Sequence, residues 1–348
     1  MVPASYAPVF GEEDFEVLVA GADNPTVIAE VLRRTGEDVT RECARDAVVE
    51  AFTTARIELS VDDALPVARE WRPDLVVHDV MDFLAPLLAI ACGARRVDHT
   101  FGSDVSADFI RACTERCRSD YRDRGIRWRQ SDRVADICPS DLQVDGWQAP
   151  RGWLPLRPEA HRAPTASAAG KPRPLTGQAK VLMTFGTLYT DPEVLTPLLD
   201  DLTARGYGVR VALGLTASST DFAVDRDTVA FEGFRPYAEL LDGIDVVVGH
   251  GGAGTNLGAL AAGVPLVLIP QGADQGGQAE RVAAAGAAIC VGPGASSPDA
   301  VAPAVADVLG QHGYRAAAHR IAAQIAAMPS TDEVAALLAS LVPESRDQ

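Results

Sequence analysis

The chain has 348 residues, 47% of them hydrophobic, with 31 basic against 48 acidic side chains and a net charge of −17. That length suits two domains with separate cores, and the negative field argues against nucleic acid or anionic membrane as a partner. No apolar run reaches spanning length, and the start, MVPASYAPVFGEEDFEV, lacks a basic stretch ahead of an apolar core. A cytoplasmic protein with no membrane span is expected.

In chain order, Phe15–Ala20 reads as a buried strand, and Asn24-Pro25 as the cap and first turn of a helix to about Arg34. A helix ending near Trp71 leads into a strand at Asp74–His78. Met81–Cys92 is apolar nearly all round, as a buried helix is, and Gly93 stops it. Arg95–His99 is the next strand, and residues 104–124 have the two faces of an exposed amphipathic helix. Residues 159–178, EAHRAPTASAAGKPRPLTGQ, carry no hydrophobic periodicity and read as a linker. Strands follow at 180–185, 208–213, 228–232, 244–248, 264–269 and 287–291, with helices between them, the first at about 192–204. Ser330 and Glu333 form a capping-box signature before a last helix. The pattern is α/β twice over: a domain at 1–158, the linker, a domain at 179–328, and a C-terminal helix and tail at 329–348. Two doubly wound, Rossmann-like domains facing a cleft are the expected architecture.

Six cysteines, Cys43, Cys92, Cys113, Cys117, Cys138 and Cys290, are scattered. Cys113 and Cys117 lie four apart with no second pair at zinc-site spacing, so plain reduced residues are expected and no metal.

The segment 249–277, GHGGAGTNLGALAAGVPLVLIPQGADQGG, carries the chemistry. Gly251, Gly252 and Gly254 allow close backbone approach to a ligand. The apolar run that follows makes this turn a helix N-terminus, where unpaired N–H groups and the dipole favour phosphate. His250, just before it, can add a hydrogen bond or a charge. The strand Val264–Ile269 ends at Pro270 and delivers Asp274 and Gln275 beyond its C-terminal end, the ligand side of an open α/β sheet. A phosphate held beside two hydroxyl-binding side chains suggests a nucleotide-sugar.

The second half resembles the donor domain of GT-B glycosyltransferases of the UDP-glycosyltransferase-like superfamily, the bacterial natural-product enzymes above all. The matching pieces stand in family order: MTFGT at 183–187, EGFRP at 232–236, HGGAGT at 250–255, AAGVPLVLIPQGADQ at 261–275 and ERVAAAGAA at 280–288. The resemblance implies that His250, Gly251, Gly252, Gly254 and Thr255 hold the diphosphate and that Asp274 and Gln275 bind sugar hydroxyls. It implies that Gly186 and Thr187 face the cleft, and that Phe234, Arg235 and Pro236 hold the nucleobase. The small Gly276 and Gly277 suggest a roomy sugar pocket. Asp225-Arg226-Asp227 matches the metal-binding pattern of the unrelated GT-A enzymes but lies in a charged loop without strand context. No metal or cofactor beyond the TDP- or UDP-sugar substrate is expected.

The first half resembles the acceptor domain more loosely, through residues 72–97 and 134–143. Asp79 takes the position of the carboxylate that orients the family's catalytic histidine. The resemblance implies inverting transfer to a hydroxyl or carbon of a hydrophobic aglycone, with a histidine as base. That histidine is expected in the first loop, yet no histidine precedes His78. A first strand and its loop are missing from the expected pattern, which would leave apolar edges of the neighbouring strands uncovered. Three readings follow: a natural chain with a longer start, a catalytically impaired helper that binds nucleotide-sugar or a partner enzyme, or a base supplied by another group. For the last, Asp79 is the first candidate and His99 and Asp104 are weaker ones. His78 alternates to the opposite face from Asp79 and reads as packing. A homodimer is compatible with the sequence but has no motif.

Overall fold

The computed structural model describes the whole chain except residues 12–13, 41–43, 104–105, 161–169, 186–191, 215–216, 225–227, 234, 293–296 and 343–348. Cys43, Asp104, Gly186, Thr187, Asp225, Arg226, Asp227 and Phe234 therefore lie outside the described residues. In the first domain, helix α1 (Asn24–Thr35) starts where Asp23 accepts a hydrogen bond from the Thr26 N–H at 3.0 Å, and ends at Gly36 with φ of 76°. Helices α2 (Arg45–Phe52) and α3 (Thr54–Trp71) lead to strand β1 (Leu75–Asp79), helix α4 (Ala85–Cys92) and strand β2 (Arg95–His99). Helix α5 (Ala107–Asp123) and the short strands β3 (Arg133–Asp136) and β4 (Trp153–Pro155) complete the domain. The sheet is parallel throughout, in the order β1-β2-β3-β4.

The second domain holds β5 (Lys180–Thr184), α6 (Pro192–Ala204), β6 (Gly208–Ala212), β7 (Val229–Glu232), α7 (Tyr237–Leu240), β8 (Val246–Gly249) and α8 (Ala253–Ala261). Then come β9 (Leu266–Leu268), α9 (Gln275–Ala284), β10 (Ala288–Cys290), α10 (Pro298–Gly310), α11 (His312–Ala327) and α12 (Thr331–Ala339). Its six parallel strands run β10-β9-β8-β5-β6-β7. The strands are nearly continuous hydrophobic runs because both faces are covered. Val181, Met183, Val246 and Val248 pack with Leu195, Leu199 and Val305 on one face, and Leu182, Val247, Leu266 and Leu268 with Leu260 and Ile321 on the other. The strand order reverses between β5 and β8, so the ligand crevice of this fold opens at their C-terminal ends, at Thr184 and Gly249.

The domains are joined by more than the linker. Cys138 and Leu142 belong to the same apolar cluster as Val282 and Ile325. α12 returns to the first domain, where Val334 and Leu338 pack with Val97 and Ala135. Arg157 donates from its backbone to Pro329 O (2.8 Å) and from Nε to Met328 O (3.1 Å), and Arg320 pairs with Asp141 at 2.8 Å.

One expected element is not formed. Phe15–Ala20 is no buried strand: Phe15 and Val19 are 58% and 48% exposed, and only an isolated bridge joins Val19 to Val2. The bridge rests on two hydrogen bonds, Val2 N to Leu18 O and Ala20 N to Val2 O, too few for a ladder. Among the described residues, no strand pairs with the outer edge of β1. The ladder to β2 is bracketed by Arg95 N to Asp74 O and Val80 N to His99 O, so Leu75 and Val77 turn their backbone groups outward. Val77 is 50% exposed there. No helix among the described residues is long and apolar enough to cross a membrane.

The expected capping box is present: Ser330 Oγ accepts from Glu333 N (3.3 Å), and the Glu333 carboxylate accepts from Ser330 N (2.8 Å). These bonds lower the Glu333 pKa, so the box persists above the ordinary carboxylate range and is lost as pH falls through the lowered value. Ser330→Ala is expected to cost about 1 kcal/mol of stability, read as a lower denaturation midpoint. Glu333→Ala in that background should add little, because both residues serve one motif.

Candidate active site

At the crevice, β8 ends at Gly249, where a Cβ would stand 2.9 Å from Thr184 O. Gly251 turns the chain with φ of 89°, and Gly252 is the N-cap of α8. The turn is fixed from behind: buried Asn256 donates Nδ2–H to Gly251 O at 2.8 Å, while its backbone N–H bonds Gly252 O at 3.0 Å. Leu257, Ala259 and Leu260 anchor the helix in the core. The N–H groups of Ala253, Gly254 and Thr255 are those that an α-helix leaves without an internal acceptor. They stand at the positive end of the helix dipole.

His250 packs over this turn so closely that a Cβ on Gly252 would lie 2.5 Å from its Nε2. Burial lowers its pKa below the ordinary histidine value, against a backbone bond to Thr184 and the Asp274 charge. The imidazole is therefore neutral at pH 7, and its one N–H serves the bond to Thr184. Gly254 differs from its neighbours, since a Cβ there would meet nothing within 4 Å. The space in front of the first turn is open.

The loop before α9 holds Ala273 at φ of 54°, a left-handed conformation that a Cβ disfavours. It presents Asp274, which is half-buried and accepts from Gln278 Nε2 at 3.3 Å rather than capping α9. Gln275 already has its side-chain oxygen engaged. Its side chain is buried, and its Oε1 accepts from the N–H groups of Gln271 (2.8 Å) and Gly272 (3.2 Å). It braces the loop that displays Asp274. Gly276 has open space around its Cβ direction.

The Arg235 side chain is taken up by an ion pair, which leaves the nucleobase contact expected of its loop to ring packing and backbone groups. Its guanidinium is buried against Glu232 at 2.9 Å and donates to Gly170 O at 3.2 Å. Glu232 is buried beside Arg210 and attracts both arginines, so the pairing of charges decides where Arg235 points. Pro236 is the N-cap of α7. The following Tyr237, which no motif marked, lays its ring on Gly258, where a Cβ would come within 2.7 Å, and donates from its hydroxyl to Thr255 O at 3.3 Å. It props the first turn of α8 from the side.

Across the cleft, Asp79 ends β1 and accepts from Met81 N at 2.7 Å. Partial burial raises its pKa, helped by the Asp82 charge and opposed by Met81 N–H, His99 and His78. His78 points to the opposite face, as its alternation implies: it is buried, with Nε2 3.1 Å from Asp98 and Nδ1 2.8 Å from Asp79 O. A cavity of about 730 Å³ runs along β1, lined by Leu18, Ala20, Val77, Met81 and Leu88, with Asp79 and Asp82 among its few polar groups. A second, of about 420 Å³, lies between the domains and is lined by Val77 and His99 from one and by Gly254 and Leu257 from the other. The loop after β2 ties the two sides together. Ser103 Oγ donates to Gln278 Oε1 at 2.8 Å, and Gly102, at φ of 149°, approaches so near that a Cβ would be 2.8 Å from that of Ala253.

Models of the erythromycin biosynthesis protein CIII-like N-terminal and C-terminal domains match residues 19–151 and 199–341, together most of the chain. The L-demethylnoviosyl transferase of Streptomyces niveus is 28% identical, over 80% of this chain and 74% of that protein. The 3-alpha-mycarosylerythronolide B desosaminyl transferase of Saccharopolyspora erythraea is 25% identical, over 82% and 73%. Among solved structures, spinosyn rhamnosyltransferase superposes with a TM-score of 0.78 at 22% identity, over 97% of this chain and 90% of that one. The same protein is also known complexed with thymidine diphosphate.

Gly252 and Gly254 have separable roles in the turn. Gly252→Ala should cost about 1–3 kcal/mol by driving a methyl into His250. Gly254→Ala should keep or raise the melting temperature, because alanine favours helix and the site is open. By calorimetry it should still weaken TDP binding about tenfold or more, roughly 1.4 kcal/mol, since its methyl enters the space in front of the amides.

Proposed function

The chain belongs to the EryCIII-like, GT-B natural-product glycosyltransferases, and from that premise we propose that it moves a deoxysugar from a TDP-sugar to a hydroxyl of a hydrophobic aglycone, with inversion at the anomeric carbon. One observation carries this reading: the first turn of α8, whose three leading amides have no acceptor within the helix, faces across the cleft a domain whose large cavity reaches Asp79. The thymidine nucleotide is favoured because a neighbour of the same fold is known with thymidine diphosphate.

In this mechanism the diphosphate sits against the N–H groups of Ala253, Gly254 and Thr255, and His250 donates to it from its second ring nitrogen when the incoming negative charge draws a proton onto the ring. As the bond from the anomeric carbon to the β-phosphate oxygen breaks, charge grows on the leaving diphosphate. The dipole of α8 is already oriented toward it, so little reorganisation is needed. Asp274 holds sugar hydroxyls, and the open space at Gly276 admits modified sugars. The apolar cavity of about 730 Å³ suits an aglycone, being within the usual size of ligand pockets. Acceptor oxygen enters from the face opposite the diphosphate as its proton passes to a base, and Asp79 stabilises the positive charge that the base acquires.

The test is turnover of α-configured TDP-deoxysugars with a panel of polyketide and aromatic aglycones, followed by NMR. Release of TDP with a β-glycoside is the expected result; an α-glycoside, or TDP bound without any transfer across the panel, contradicts it. Asp79→Asn should lower kcat by about 10²–10⁴-fold and leave TDP binding unchanged.

A further inference from the structure

We propose that His99 is the acceptor-activating base of this chain, with Asp79 beside it as its charge partner; the assignment rests on the transfer reading above. The histidines sort by position. His78 is buried on the far face of the sheet, held between Asp98 and Asp79 O. His250 belongs to the donor side. His312 and His319 lie on α11, where the His319 ring packs near Gly263. His161 lies outside the described residues. His99 alone of the described histidines stands on the acceptor domain and lines a cavity shared with the donor helix.

Three features define the position. First, Asp79 and His99 are register partners on adjacent parallel strands. Their side chains leave the same face of the sheet, about 4.8 Å apart at the backbone. Second, His99 and Gly254 line one cavity, so the imidazole shares a space with the first turn of α8. Val77 lines both this cavity and the larger one that reaches Asp79, which makes the two spaces neighbours. Third, the chain just beyond His99 is fastened at both ends. Thr100 Oγ1 donates to Asp136 at 2.7 Å within its own domain, and Ser103 bonds Gln278 of the other. The distance from His99 to α8 is thereby set by hydrogen bonds rather than by a loose hinge.

The charged groups around His99 are Asp79 on β1, Asp136 on β3, and Arg157 and Glu159 in the segment that lines the same cavity. Burial lowers the His99 pKa, and the charges of Asp79 and Asp136 oppose that shift. The ring is neutral at pH 7 and able to take a proton. In the reaction, the acceptor hydroxyl gives its proton to the imidazole as its oxygen bonds to the anomeric carbon. The bond from that carbon to the β-phosphate oxygen breaks, and its electron pair leaves with TDP. The imidazolium, stabilised by Asp79, then returns the proton to solvent.

The experiment compares wild type, His99→Gln, His99→Ala and Asp79→Asn for TDP affinity, kcat, KM and pH dependence. The assignment expects unchanged TDP affinity and a kcat lower by about 10²–10⁴-fold in both His99 variants. The wild-type acid limb, set by a His99 pKa that burial lowers, should vanish with the ring, and added imidazole should partly rescue His99→Ala. In an NMR titration, Asp79→Asn should shift the His99 pKa further down, because a charge that raises it is gone. Wild-type kcat with an intact acid limb in His99→Gln overturns the assignment and leaves the transfer reading standing. An unmoved His99 pKa in Asp79→Asn overturns the pairing. A wild type that neither binds TDP nor turns over removes both readings together.

Discussion

Three backbone N–H groups at the start of α8 set the terms for the rest of this molecule. A helix cannot satisfy its own first donors, and leaving them open beside a cleft costs stability unless water or a ligand meets them. The surrounding structure keeps that turn rigid without closing it. Asn256 holds it from within, Tyr237 props Thr255 from the side, and the Gln275 backbone crowds Gly251 from behind. His250 lies over the turn with a lowered pKa, so no fixed positive charge is buried there. A chain with net charge −17 has to attract an anion through such local dipoles, because its overall field repels one.

What the sequence disclosed about this site follows from how local the information is. The glycine turn, the strand before it and the helix after it are set by residues within a few positions of each other, and they form where the pattern places them. The Ser330–Glu333 capping box is similarly local. The side-chain partners of Arg235 and Gln275 are not legible for the opposite reason. Their orientations depend on Glu232 and on the backbone at 271–272, and a motif cannot show that those partners have claimed them. Tyr237 carries no motif because its role exists only where α7 meets Gly258. β3 and β4 are four and three residues long, too short for alternation to be read. Phe15–Ala20 has a strand's composition but, among the described residues, pairs only with Val2.

The first domain is organised around what its sheet edges expose. β1 lies at the edge, with Val77 half-exposed and a large apolar cavity alongside. The same strand ends in Asp79, and its neighbour ends in His99, so the chemistry proposed for the acceptor side sits at the C-terminal ends of parallel strands, as on the donor side. Gly102 and Ser103 then bring that end of the sheet against α8 and α9. The return of α12 across the first domain limits how far the halves can separate. Cleft geometry thus depends on a few contacts, most of them made by residues that carry no sequence motif.

The most direct measurement is an amide chemical-shift titration of the protein with TDP. The account requires large, saturable shifts of the Ala253, Gly254 and Thr255 N–H groups and of the His250 ring, with Asn256 moving little because its amide is already bonded to Gly252. Saturable binding of TDP that leaves those three amides unmoved would contradict the account at its base.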